Sequence, residues 1–171
     1  MQNNLIILEG PDHAGKSRLA FHLIEKYRFN YYHCSVKPDI MQYHLKVLEM
    51  ASKDINLYNS NFVIDRLHLS EYVYGNIFRK GPKYDFLQLE KDIKNKFINY
   101  KLIICLPPKE IVVNGHKQRL ANNDEMFKTV DQVYDLYKQI VDTKAVNCYI
   151  YDFTKDPNYE QLDKFLENKN D

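Results

Sequence analysis

Residues Leu5–Ala20 read "LIILEGPDHAGKSRLA", and this stretch decides the fold class. Its opening residues, Leu5 to Leu8, are an unbroken apolar run, the mark of a strand covered on both faces. Gly10, Gly15, Lys16 and Ser17 then satisfy G-x-x-x-x-G-K-[ST]. An apolar stripe at helical spacing follows, with Leu19, Ala20, Leu23, Ile24 and Tyr27. Strand, glycine loop and helix in that order form a cradle for phosphate. The glycines let successive N–H groups turn inward on phosphate oxygens, and the helix offers its positive end. Gly10, Pro11, Asp12, His13, Ala14, Gly15, Lys16, Ser17 and Arg18 are therefore the candidate ATP-binding residues. Lys16 is suited to the β- and γ-phosphates, and the Ser17 hydroxyl to Mg2+.

Two loop residues carry less certain meanings. A carboxylate at Asp12 repels the phosphate beside it unless it turns outward. There it either accepts from a sugar hydroxyl of a second substrate or is a solvated turn residue. His13 at the crown either touches the γ-phosphate or sits passively on the surface.

Beyond the loop, short apolar runs alternate with helical patterns. Tyr31–Val36, Asn61–Asp65, Lys101–Leu106 and Asn147–Phe153 read as further strands, the fourth stopped by Pro107 and Pro108. Helical patterns cover Ser17–Tyr27, Asp39–Met50, Leu67–Phe78, Tyr84–Phe97, Lys109–Leu120 and Glu125–Lys144. A closing helix is expected over Pro157–Asn168, with Asp156 as N-cap and Pro157 in the first turn. No repeat or linker interrupts the pattern. The chain reads as one α/β domain, residues 1–171, with five parallel strands covered by helices on both faces.

"FVIDRLHLSEYVYG", Phe62 to Gly75, places Asp65 and Arg66 at the end of a buried strand. In a parallel sheet ligands bind beyond the carboxyl ends of the strands, so both residues arrive beside the phosphate loop. Asp65 can hold a Mg2+-bound water or orient an acceptor. Arg66 can grip a phosphate with two hydrogen bonds. The plainer alternative is a helix-capping Asp and a surface Arg. Glu9, just before the loop, is either a general base for a hydroxyl acceptor or a structural carboxylate bonded to backbone.

Taken together, "LEGPDHAGKS" and "DRLHLSEYVYG" resemble thymidylate kinase and its relatives among the deoxynucleoside and nucleoside monophosphate kinases. Asp65, Arg66, Ser70, Tyr74 and Gly75 fit the family's D-R-x-x-x-S and Tyr–Gly frame. "IICLPPKEIVVNGHKQRLANNDEMFKTVDQVYDLYKQI" resembles its fourth strand, Pro-rich turn, lid and post-lid helix. The D-R-x-H-L-S-E-Y-V-Y-G form is similar to a branch common in phages, whose members serve deoxynucleotide supply or modified-base pathways. The family's acidic–Pro turn after the second strand is replaced here by "YYHCSVKPD".

The resemblance implies a P-loop NTPase fold, three-layer α/β/α, with strand order 2-3-1-4-5 and a helical lid at about residues 114–126. It implies transfer of phosphoryl from ATP, with Mg2+, to a deoxynucleoside monophosphate. By residue it implies Asp12 on the acceptor's sugar, Arg66 on its phosphate, and the Ser70 and Tyr74 side of the next helix toward its base. His68 lies on a turn that could also face the base, which completes an acceptor set of Glu9, Asp12, Arg66, His68, Ser70 and Tyr74. Lys16, Asp65, Arg66 and the lid's Arg119, with Lys117 as second choice, form the candidate catalytic set. Ser17 and Asp65 form the metal set.

The charge balance, 24 basic against 23 acidic residues, gives no global argument for a polyanionic partner. No apolar run spans a bilayer and no signal peptide opens the chain, so a cytoplasmic location without membrane contact is expected. Cys34, Cys105 and Cys148 read as buried free thiols of a reducing compartment. A second reading is a kinase acting on a hydroxyl, of a deoxynucleoside or of 5-hydroxymethyluracil in DNA. Arg79, Lys80, Lys83, Lys91, Lys94, Lys96 and Lys101, set against Asp85, Glu90 and Asp92, supply a local basic excess for such a partner. A third, a nucleotide switch, lacks any N-K-x-D guanine-reading motif. A homodimer follows from family analogy alone.

Overall fold

The computed structural model describes residues 4–119 and 124–167, with the side chains of 119 and 124–128 left aside. Five strands run β1 Leu5–Glu9, β2 Phe29–His33, β3 Asn61–Asp65, β4 Tyr100–Cys105 and β5 Tyr149–Tyr151. All are parallel, in the order β2-β3-β1-β4-β5. The helices are α1 Lys16–Tyr27, α2 Ile40–Tyr58, α3 His68–Phe78, α4 Phe86–Lys96, α5 Lys109–Arg119, α6 Asp124–Asp142 and α7 Glu160–Glu167. The expected three-layer α/β architecture and strand order are thus observed.

Each central strand sends alternate side chains to opposite faces, the period-two rule of extended backbone. Leu5, Ile7, Phe62, Ile64, Leu102 and Ile104 pack on one side with Val47, Ala51, Leu69, Val73, Ile93 and Tyr137. Ile6, Leu8, Val63, Ile103 and Cys105 pack on the other with Leu19, Leu23, Val112, Tyr134 and Leu162. Helices α2, α3 and α4 therefore cover the first face and α1, α5 and α7 the second, while α6 contributes to both. Full burial of each such Ile, Leu or Val is worth roughly 1.5–3 kcal/mol.

Helix ends follow local chemistry. Arg28 and Asn59 take left-handed conformations (φ 59° and 53°) and stop α1 and α2. Asp85 caps α4 by accepting from the Leu87 N–H at 2.9 Å. Three expected boundaries shift. The second strand begins and ends earlier than Tyr31–Val36, because its register is set by pairing Phe29 with Asn61 through His33 with Asp65. Helix α2 runs on past Met50 to Tyr58. The closing helix begins at Glu160, so Pro157 lies before it. Asp156 still serves its N-terminus, its carboxylate accepting from Gln161 and Leu162 N–H at 3.2 and 2.9 Å.

Candidate active site

The turn from β1 into α1 is built around two glycines. Gly10 has φ 133°, and a Cβ there would stand 2.3 Å from the Cys105 carbonyl oxygen of the neighbouring strand. Gly15 has φ 89°, with the Phe153 ring where its Cβ would be. Inside the turn Lys16 is buried, and its Nζ donates to the Gly10 and Pro11 carbonyls at 3.0 and 2.6 Å. Burial pushes its pKa down to about 8, assisted by the Arg66 guanidinium and opposed by Asp65 and Asp12. The ammonium is thus folded back on carbonyls that an anion in the loop would relieve. The His13 ring meets His116 edge-on at 5.6 Å, and Gly115 of α5 closes on its Cβ. Ser17 and Arg18 are exposed, and Arg18 donates to the Tyr159 hydroxyl at 3.0 Å and the Pro157 carbonyl at 3.1 Å.

The end of β3 lies alongside. Pairing puts Asp65 level with Leu8 of β1 and His33 of β2. The Asp65 carboxylate is buried. Its Oδ2 accepts from the Tyr31 hydroxyl at 3.0 Å and lies 3.2 Å from His33 Nδ1. Its Oδ1 is buried with no partner among the described residues. Arg66 takes a left-handed backbone, φ 70°, which throws its side chain across the sheet edge. The guanidinium donates to Asp12 Oδ1 at 2.5 Å, to the Tyr74 hydroxyl at 3.1 Å and to the Gly10 carbonyl at 3.4 Å.

Two cavities open here. One, of about 400 Å3, is lined by the phosphate loop with Ser17, Arg18, Asp65 and Ile111. The other, of about 420 Å3, lies between β2, α2 and α3 and is walled by Cys34, Ile40, His44, Leu67, Tyr74 and Arg79 among others. Asp12, His33 and Arg66 line both.

Three expected acceptor contacts are redirected. Glu9 is fully buried and its carboxylate is saturated. Oε1 accepts from Leu67 and Leu69 N–H at 2.9 and 3.1 Å, and Oε2 from the Ser70 and Tyr137 hydroxyls at 2.5 and 3.1 Å. Glu9 is the structural carboxylate, not a free base, and it ties β1 to α3 and α6. Ser70 lines the second cavity, but its hydroxyl is spent on Glu9 and Tyr137. His68 is turned away from both cavities. It has no exposed surface, and its Nε2 lies 2.8 Å from Glu90 Oε2 of α4. Arg119 ends α5, but its side chain, like residues 120–123 of the expected lid, lies outside the described residues.

The structure adds residues that sequence reading passed over. Glu71 is buried in the second cavity's wall, paired with Arg79 at 2.5 Å and accepting from the Lys83 N–H at 2.9 Å. His44 enters the same wall from α2. Both are visible in sequence only as polar residues on otherwise apolar helix faces. The basic run is partly consumed internally: Arg79 serves Glu71, Lys94 pairs with Glu90 at 3.0 Å, and Lys101 points to the Phe165 carbonyl at 3.4 Å.

Among the described residues no group of three or more His, Cys, Asp or Glu forms a metal cage. Mg2+ is usually held by one or two protein oxygens together with substrate phosphates. The residues present fit that mode: the orphaned Asp65 Oδ1 and Ser17 line one cavity. Among the described residues no helix is long and apolar enough to cross a membrane.

No protein-family model and no curated protein matches the chain. Solved structures do. The YorR protein from Bacillus subtilis, in complex with phosphorylated GDP, superposes with TM-score 0.70 at 21% identity, covering 96% of each chain. Deoxyadenosine kinase from M. mycoides with bound dATP gives TM-score 0.59 at 12% identity, covering 97% of this chain and 100% of that one. The same enzyme with products dCMP and dCDP gives 0.56 at 13%, covering 94% and 98%. With the phosphate loop and the 2-3-1-4-5 sheet, these likenesses give the chain the α/β P-loop fold seen in nucleotide kinases.

Proposed function

We propose that this chain is an ATP- and Mg2+-dependent nucleotide kinase that phosphorylates a deoxynucleoside monophosphate. The observation that carries the reading is the pair of cavities meeting at Arg66 and Asp12. One holds the phosphate loop. The other is of nucleoside size and has guanidinium groups at both ends of its wall, Arg66 and Arg79. Phosphoryl transfer asks mainly for alignment and charge neutralisation. Arg66 can present an acceptor phosphate to the loop, and Lys16 can offset charge on the donor. Asp12 positions Arg66 and borders the acceptor's sugar. Tyr74 supports the guanidinium, whose carbon lies 5.1 Å from the ring centre. Ser17 and Asp65 would hold Mg2+, which when bound neutralises charge on the donor's phosphates. The Arg18 side of α1 borders the donor cleft. On this reading the chain is one kinase domain whose lid lies at about residues 114–126, with Arg119 its cationic side chain.

A phosphate acceptor needs no general base, and Glu9 is not free to act as one. The second reading, a hydroxyl acceptor on a deoxynucleoside or on 5-hydroxymethyluracil in DNA, is favoured by one observation. Asp65 keeps a buried carboxylate oxygen unoccupied, and that oxygen could take the proton.

The test is ADP release from ATP and Mg2+ with deoxynucleoside monophosphates, free deoxynucleosides and hydroxymethyluracil-containing DNA as separate acceptors. Turnover of a monophosphate, lost in Arg66→Ala, supports the first reading. Turnover of nucleosides or DNA alone replaces it with the second.

A further inference from the structure

The second cavity has a wall that the phosphate chemistry leaves unexplained. His44, on α2, is buried (3% exposed) and lines the cavity. Its Nδ1 lies 2.5 Å from the Tyr84 hydroxyl, and Tyr84 stands outside the cavity lining. Tyr84 is buried beside Glu71 and Glu9, which keeps its phenol protonated. A protonated phenol donating to Nδ1 leaves the imidazole proton on Nε2. Burial, with His68 close by, holds the ring neutral and its pKa down at about 4. Among the described residues no hydrogen bond occupies Nε2.

We propose that His44 reads the base of the acceptor, donating from Nε2 to a carbonyl oxygen, with Tyr84 as the positioning residue that fixes the tautomer. The inference rests on the acceptor reading of this cavity. Its chemistry comes from counting donors. Arg79, in the same wall, is donor-only. Glu71, which could answer with acceptors, already accepts from Arg79 and the Lys83 N–H. A wall of donors suits a base that presents a carbonyl, of the thymine, uracil or guanine type. An exocyclic amine would set N–H against N–H, and such a mismatch in a buried site is rejected strongly.

Two measurements on the full chain test this. The first is 15N NMR of the imidazole in wild type and Tyr84→Phe. The expected result is an Nε2–H tautomer in wild type that becomes mixed in the variant. An Nδ1–H tautomer in wild type overturns the proposal whatever the activity. The second is steady-state kinetics with dTMP, dUMP, dGMP, dCMP and dAMP. Wild type is expected to favour the carbonyl-bearing bases. His44→Leu should raise their KM about tenfold, as befits one lost neutral hydrogen bond, with little change in kcat. His44→Gln, which keeps a donor, should recover most of that loss, and Tyr84→Phe should fall between. A preference for dCMP or dAMP, or an unchanged KM in His44→Leu, overturns the inference alone. Failure of wild type to phosphorylate any monophosphate removes the acceptor reading and the inference with it.

Discussion

Arg66 reaches across the sheet edge to Asp12, its Nη2 donating to Oδ1 at 2.5 Å while the guanidinium rests on the Tyr74 ring. The pair joins the phosphate loop to α3. Arg66→Ala removes the group that two cavities share, and kcat/KM for the acceptor should fall by about 10^2–10^3-fold. Far-UV circular dichroism should stay unchanged. Asp12→Asn keeps one hydrogen bond to Arg66 and should cost less, about tenfold, expressed mainly in acceptor KM. Equal losses in the two variants would show that Asp12 does more than orient Arg66.

Glu9 predicts a stability effect in place of a catalytic one. Glu9→Gln sets an amide N–H against groups that all donate: two backbone N–H groups and two hydroxyls. A buried mismatch of this kind costs about 1–3 kcal/mol per unsatisfied group. A drop of at least ~2 kcal/mol in urea unfolding is expected, with acceptor KM unchanged in the fraction that remains folded.

Gly10 predicts a different failure. Alanine there combines a left-handed backbone with a Cβ 2.3 Å from the Cys105 carbonyl oxygen. Neither strand can move without breaking the β1–β4 pairing. Gly10→Ala should lose at least ~2 kcal/mol of stability and abolish binding of a fluorescent ATP analogue. Gly81→Ala is the control: its φ is 117°, but no atom lies within 4 Å of the added carbon, so nucleotide binding should survive.

His44 predicts how the fold responds to acid. Its pKa is lowered from the ordinary 6.5 to about 4 in the folded chain, by burial and by His68. The unfolded chain therefore binds the extra proton first as pH falls. Stability should be lost between about pH 6.5 and 4, and this contribution levels off below that window. The full shift corresponds to roughly 3 kcal/mol. His44→Gln should flatten the slope of unfolding free energy against pH across that window. A slope unchanged in the variant would assign the titration to other groups.

The motifs that lie contiguous in the chain were the legible ones. Leu5–Ser17 and Asp65-Arg66 announce a strand end, a turn and a charged pair, and the sheet edge gathers them because every parallel strand points the same way. What sequence left open depends on facing. His68 and Glu71 sit one helical turn apart in α3, yet one packs under α4 and the other lines the cavity. Only the packing of α3 against its neighbours decides between them. Glu9 showed the same limit: strand position was evident, but four donors converging from α3 and α6 were not. His44 and Tyr84 meet across a gap of forty positions, and no local pattern signals that contact. The second strand was placed late because aromatic residues after Tyr31 read as strand, while pairing with β3 ends it at His33.

The two cavities are divided only by side chains: Asp12, His33 and Arg66 stand in both linings, with no strand or helix between them. A partition of that kind is a doorway. A single molecule carrying a head for each room, joined by a flexible anionic tether, could occupy both at once. Its second head would then bind at the high effective concentration that tethering confers, so its affinity should exceed that of either half alone by far more than their sum. Such a two-headed ligand would measure, in one titration, how closely the rooms adjoin.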